Sequence, residues 1–417
     1  MTVAPIEADR TRAQSAAPEP VHELIGRQPP GHALLQPFYA SPEIYRLDVE
    51  GMLMRHWTCV GHESSIPVPG DYFLFEFDAE SVIIVRGRDN VVRALINVCR
   101  HRGSRICSEP KGHAKGGLLV CPYHAWVYTT EGRLRNARMM PESFEAAAHG
   151  LKQISLRVIE GLIFITFADS PLGLSQVEET IRSSLGAYGW GAAKVIHQET
   201  YSMSANWKLA IENQMECYHC GPSHPDYTRL HSQARPGVNQ LTAAMEARTV
   251  DLGIRIPVRD QWALQALPDE EADYCARYAM WGDAVTASDD GKPAAPLMGR
   301  FTEYDGGTTF VYAGPLSFFL AYTDYGAIFR YTPRSVGETE LHVTWLVRED
   351  AREGIDYDVE RVTWLWRITA AADKQIVEQN QLGVESRFYR PGPYAVPIEN
   401  SSRRFAEWVL HEIAPAT

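Results

Sequence analysis

The chain has 417 residues, 45% of them apolar and 22% charged, and a net charge of −12. That length suits about two or three domains with cores of their own, and the acidic balance repels phosphate backbones, which argues against a nucleic-acid partner. No apolar run approaches the ~20 residues that cross a bilayer, and the N-terminus lacks the basic-then-apolar pattern of a secretory signal, so a cytoplasmic location off the membrane is expected.

Thr2–Pro20, rich in Ala, Pro, Glu and Arg, reads as a mobile tail. From about Trp57 to Phe167 the chain reads as short strands, among them Asp71–Phe77, Ser81–Gly87 and Gly161–Phe167, rich in β-branched and aromatic residues. Gly70, Asp89-Asn90 and Glu131-Gly132 supply turns between strands. After Pro171 the spacing becomes helical at Val177–Gly189 and Asn206–His219, with Gly221-Pro222 expected to end the second helix. Strand patterns return at Thr308–Gly314, Ser317–Thr323, Gly326–Pro333 and Glu340–Arg348. A long helix is expected from Asp356 to Gln381, closed by Gly383. The fold class is therefore α+β: a small all-β domain, then a helix-flanked antiparallel sheet.

The cysteines are Cys59, Cys99, Cys107, Cys121, Cys217, Cys220 and Cys275. They are too few for a disulfide scaffold, and reduced thiols or metal ligands are expected. The segment NVCRHRGSRIC…LLVCPYHAWVY places Cys99 with His101 and Cys121 with His124, each pair short enough for one loop tip. Two thiolates and two imidazoles are the ligand set of a Rieske [2Fe–2S] centre. A structural zinc site also uses Cys and His, but it favours two or more residues between its first ligands; here only Arg100 intervenes. Cys107 and His113, between the pairs, are expected to be a small buried hydrophobe and a loop residue.

The second motif is ENQMECYHCGPSHPD, where a break at Gly221-Pro222 separates His219 from His224. One carboxylate added to these two imidazoles would make the facial triad of a non-haem Fe(II) oxygenase, which leaves positions open for dioxygen and substrate. Asp373, in TAADKQIVEQNQLG on the long helix, is the first choice and Glu378 the second, with Asp356 and Asp358 further back. Glu216, one helical turn before His219, is placed to accept its ring N–H and fix the tautomer. Taken singly, Glu216 and Asp373 also fit solvated helix positions. Cys217 and Cys220 flank His219 and are expected to be packing residues, since thiolate ligands would close the site to oxygen.

Together these motifs resemble the α-subunits of Rieske non-haem iron ring-hydroxylating oxygenases, from about Leu35 onward. The resemblance implies an N-terminal tail and arm at 1–45, a Rieske domain at 46–168 and a catalytic domain at 169–417. It implies a [2Fe–2S] cluster on Cys99, His101, Cys121 and His124, and Fe(II) on His219, His224 and Asp373. It also implies rings of subunits, usually trimers, in which Glu216 links an iron ligand, His219, to a cluster ligand, His124, across an interface. The family's bridge is usually Asp, and the loop between His101 and Cys121 is slightly long here. Glu at the bridge, with CRHRGS and ECYHC, resembles the branch acting on quaternary ammonium compounds, such as glycine betaine, stachydrine and carnitine.

The chain has neither a dinucleotide motif nor a plant-type ferredoxin cysteine run, so a separate NAD(P)H-dependent reductase is implied. The expected reaction uses dioxygen for oxidative N-demethylation. A cationic methylammonium group is best held by aromatic faces, and Phe310, Tyr312, Phe318, Tyr322, Tyr325, Phe329 and Trp262 are candidates. Rival readings are oxygenation of an aromatic ring or acid, a pure electron carrier, and a zinc-dependent binding protein.

Overall fold

The computed structural model describes residues 20–233, 235, 237–256 and 269–414. The expected tail, apart from Pro20, and Trp262 lie outside them. No helix among the described residues is long and apolar enough to cross a membrane.

The front of the chain builds a seven-stranded antiparallel sheet among the described residues. Its spatial order is Thr58–His62, Leu162–Thr166, Gln153–Ile159, Val92–Ile96, Glu80–Arg86, Asp71–Phe77 and Lys111–His113. The DYFLFEF strand alternates as expected for a half-buried strand, with Phe73, Phe75 and Phe77 turned inward. Its neighbour buries Ser81 to Val85 without a break, because both of its faces are covered. A three-stranded sheet (Leu118–Val120, Val127–Thr129, Leu134–Asn136) stands on this domain and carries the second Cys/His pair at its first turn.

The rest of the chain centres on a six-stranded antiparallel sheet in the order Ala193–Met203, Glu338–Arg348, Gly326–Ser335, Ser317–Ala321, Gly307–Ala313 and Asp273–Ala279. The helices Trp207–Gln214 and Val359–Val384 pack beside it. Trp207–Gln214 is pinned by buried polar contacts from Phe38 and Asp48. Trp207 Nε1 donates to Asp48 Oδ2 at 3.0 Å, Lys208 Nζ donates to the Phe38 carbonyl at 2.8 Å, and Lys208 also pairs with Asp48. A buried charge left alone is costly, so these groups fix one orientation of the helix.

Three helical expectations are corrected. The stretch beginning at Val177 is α-helical over Ser175–Ser184 and finishes as a tighter turn, Leu185–Tyr188. It ends at Gly189, whose φ of 67° suits a residue without a Cβ. Asn206 is an N-cap, its side chain accepting from Lys208 N, and the helix it opens stops at Gln214 rather than His219. Short turns Cys220–Ser223 and Pro225–Leu230 follow, because Pro222 and Pro225 sit in first turns where no N–H is needed. The long helix starts at Val359, capped by Asp358, and runs through Gly383 to Val384. Gly383 has no left-handed φ, so it does not act as a stop.

Candidate metal centres and substrate cavity

The two Cys/His loops meet. Gly103 and Ala125 both take positive φ, 77° and 56°, which curls each loop so that Gly103 N donates to Cys99 O and Ala125 N to Cys121 O. Cys99 and Cys121 are buried at the base, whereas His101 and His124 are exposed at the tip with ring centroids 4.6 Å apart. His101 stacks on Trp126 at 4.9 Å and His124 on Tyr123 at 3.8 Å. The Tyr128 hydroxyl lies 3.2 Å from Cys99 Sγ and accepts from Arg100 N at 3.0 Å. Burial raises the Cys99 thiol, and the neighbouring Cys121 thiol adds to the rise. Cys107 is buried as expected, whereas His113, expected in a loop, ends the strand Lys111–His113, exposed and bonded to Asp71 at 2.9 Å.

The second centre forms where the broken segment after Gln214 faces the long helix. Side-chain donor atoms of His219, His224 and Asp373 lie within 4.8 Å of one another. Asp373 Oδ1 is 2.8 Å from His224 Nε2 and 3.3 Å from His219 Nε2. His224 is 4% exposed. Burial favours the neutral Asp373 carboxyl, but the two imidazoles outweigh it and hold the group below the usual carboxylate range. Burial likewise lowers His219, yet Asp373 and Glu216 together push it up to about 9.

Glu216 bonds His219 Nδ1 through Oε1, and its Oε2 accepts from His219 N at 3.3 Å. The expected contact exists, but across a turn rather than along a helix face. The runner-up Glu378 is elsewhere, accepting from Ser204 N at 2.9 Å and paired with Lys374. Asp356 pairs with Arg352 and Asp358 is the helix cap. The expectation of reduced packing cysteines at 217 and 220 is corrected: a disulfide joins them with a Cα–Cα distance of 4.9 Å, which a single turn after Gln214 permits. Neither sulfur is then a thiolate that could compete for a metal.

The trio opens onto a cavity of about 420 Å³, within the usual range for small-ligand sites. Its aromatic wall is one face of the sheet edge. Tyr274 is paired across the strands with Tyr312, and Phe310 sits next along with Tyr278 at a centroid distance of 5.6 Å. Tyr227 and Trp366 complete the aromatic lining. Tyr312 Oη donates to the Gln214 carbonyl at 2.7 Å, tying this wall to the segment that bears His219 and His224. Of the aromatics expected from sequence, Phe310 and Tyr312 line the cavity. Phe318, Tyr322, Tyr325 and Phe329 are 0–2% exposed in the core. Tyr227, Tyr274, Tyr278 and Trp366 were not expected; the alternation in DYCARYA was the available signal for two of them.

The Rieske [2Fe-2S] domain model matches residues 56–155, and the ring hydroxylating alpha subunit (catalytic domain) model matches 191–414. The glycine betaine monooxygenase oxygenase subunit of Chromohalobacter salexigens is 34% identical over 404 residues, spanning 94% of this chain and 88% of its own. The carnitine monooxygenase oxygenase subunit of Escherichia coli K12 is 35% identical over 199 residues, 46% of this chain and 52% of that one. A crystallised quaternary ammonium Rieske monooxygenase shares the fold with a TM-score of 0.71 at 21% identity, covering 96% of this chain and 99% of its own. Both domain matches, and a relative aligned over most of its length, show that the chain belongs to the Rieske-type ring-hydroxylating oxygenase α-subunits, oxidoreductases that combine a [2Fe–2S] cluster with a mononuclear iron.

Proposed function

We propose that this chain is the oxygenase component of a monooxygenase that removes an N-methyl group from a quaternary ammonium compound of the glycine betaine or stachydrine type. The observation that carries the reading is the aromatic wall of Tyr274, Tyr278, Phe310 and Tyr312 in the same cavity as His219, His224 and Asp373. A methylated ammonium has no N–H to donate, so attraction to ring faces is the interaction left to it. The relatives named for glycine betaine and carnitine oxidation support the same class.

The donor sets fit the two groups the family carries. Cys99, Cys121, His101 and His124 would hold the cluster, with the thiols sheltered and the imidazoles at the exposed tip. His219, His224 and Asp373 would hold Fe(II) as two imidazoles and one carboxylate, a set that keeps positions open. When bound, these groups would supply single electrons and dioxygen activation, the chemistry needed to oxidise an N-methyl group to a hydroxymethyl that leaves as formaldehyde. Glu216 holds the Nδ1 proton of His219 and so turns Nε2 toward Asp373. In a trimeric ring, Glu216 would also meet His124 of a neighbouring copy, linking the two centres. A separate NAD(P)H-dependent reductase would feed the cluster.

The test is reconstitution with a reductase, measuring formaldehyde released from a panel of betaines and aromatic acids. Formaldehyde from betaines supports the reading. Ring hydroxylation of the aromatic acids with no formaldehyde would replace it, since the same aromatic wall can stack on a flat ring.

A further inference from the structure

The cavity has a second wall, made by chain that follows the long helix. Pro397, Ile398, Asn400 and Ser401 line it, in the sequence YAVPIENSS. This stretch is fastened at both ends to a single residue. Tyr394 Oη donates to Glu212 Oε2 at 2.9 Å, and Ser402 Oγ donates to the Glu212 main-chain carbonyl at 2.9 Å. Glu212 is also held from the N-terminal arm, accepting from Tyr39 Oη at 2.7 Å. The arm ties the near end again: Tyr394 N donates to Gly31 O at 3.0 Å, and Ala33 N to Gly392 O at 2.9 Å.

Between the fastenings, main-chain bonds turn inward on the stretch itself. Glu399 N donates to Ala395 O at 2.9 Å and Asn400 N to Pro397 O at 3.1 Å. Val396 is 63% exposed and Ile398 42% exposed. Residues 395–401 therefore form a bow over the cavity whose far foot is the first turn of the helix Asn400–Glu412, where Arg403 N donates to Glu399 O at 3.0 Å, and Ile398 is at once on the cavity wall and at the solvent boundary. Glu212 itself sits in the helix Trp207–Gln214, directly before Asn213 and Gln214 of the cavity and four residues before Glu216. One residue thus registers the bow against the segment that bears His219 and His224.

We infer that Ile398, carried on a strap whose two feet are fastened to Glu212, sets the size of the cationic head that the cavity admits. The inference rests on the proposed quaternary ammonium reading. A rigid apolar wall discriminates by volume: an alkyl group that does not fit loses its burial, and added space restores it. Fastening matters because an unanchored strap would yield to a larger ligand and lose the discrimination.

The experiment measures binding of tetramethylammonium and tetrapropylammonium to the holoenzyme by calorimetry, so that turnover is not needed. Wild type should prefer the smaller ion. Ile398→Ala should shift the affinity ratio toward the larger ion by about tenfold, and Ile398→Trp should shift it the other way. Tyr394→Phe removes the near foot's bond to Glu212 and keeps its main-chain ties to the arm. It should speed amide hydrogen exchange in residues 395–401 by about tenfold, leave the sheet peptides unchanged, and move the affinity ratio in the direction of Ile398→Ala. A merely structural role would weaken both ions equally and leave the ratio alone. Wild type that binds neither ion overturns the cation reading and the inference with it. Wild type that binds both, with a ratio unmoved by the Ile398 variants, overturns the inference alone.

Discussion

Asp373 Oδ1 lies 2.8 Å from His224 Nε2, although the two residues are 149 positions apart in the chain. The contact joins the broken segment after Gln214 to the middle of the helix Val359–Val384, and it is what turns two nearby histidines into a three-donor site.

Asp373→Ala should remove one metal donor and leave the Cys/His loops untouched. The loaded enzyme should fall from about three irons per chain to about two, with acid-labile sulfide unchanged. Glu378→Ala, whose side chain is occupied by Ser204 and Lys374, should retain all of them. Iron and sulfide analysis of both variants checks this assignment.

Glu216→Gln should keep the fold and the cluster but weaken the hold on His219 Nδ1. Loss of such an orienting partner costs ~10- to 100-fold in metal affinity or activity. Single-turnover kinetics with a pre-reduced cluster read it. Turnover at the wild-type rate would show that Glu216 is not needed to orient His219 or to connect the centres.

Phe310→Leu keeps an apolar side chain in the cavity wall and removes its ring face. Cation–π attraction of about 0.5–2 kcal/mol translates to a rise in KM of ~2- to 30-fold for a quaternary ammonium substrate. The change should be smaller for a neutral isostere of the same shape. Equal losses for both would assign Phe310 to packing.

Glu212 offers a pH test of the fold. Burial raises its carboxyl to about 7, against the Tyr39 and Tyr394 hydroxyls and Lys208, which pull it down; Glu399 adds to the rise. Tyr389 also faces this group. Unfolded, the same group titrates near ~4.3. The folded chain thus holds a proton that the unfolded chain has released. The resulting stability is fully present below the unfolded value and is lost as pH rises through about 7. Glu212→Gln should flatten the fall in urea midpoint between about pH 5 and pH 8. An unchanged slope would show that the carboxyl does not titrate there.

The two Cys/His loops were legible because their residues are local: Cys99 and His101, and Cys121 and His124, each lie within one tight turn. His219 and His224 were legible for the same reason. Asp373 could be chosen only because motif context singled it out from other acids on the helix, and packing against the sheet decides which acid faces inward. The cavity aromatics were poorly legible. Phe318 and Phe329 follow the same strand alternation as Phe310 and Tyr312, and only the placement of helices separates a core ring from a lining ring. Tyr274 and Tyr278 lie on an edge strand whose partner had been read without it. The disulfide at Cys217 and Cys220 was signalled by its Cys-x-x-Cys spacing but set aside in favour of reduced packing residues, whereas the strap at 395–401 depends on three-dimensional closure that no spacing rule reports.

The most direct test of the two-centre account is the electron paramagnetic resonance spectrum of the iron- and sulfide-loaded chain after chemical reduction. The account predicts a Rieske-type signal that persists in Asp373→Ala and is lost in His101→Ala. A reduced wild-type protein with correct iron and sulfide content and no such signal would contradict it.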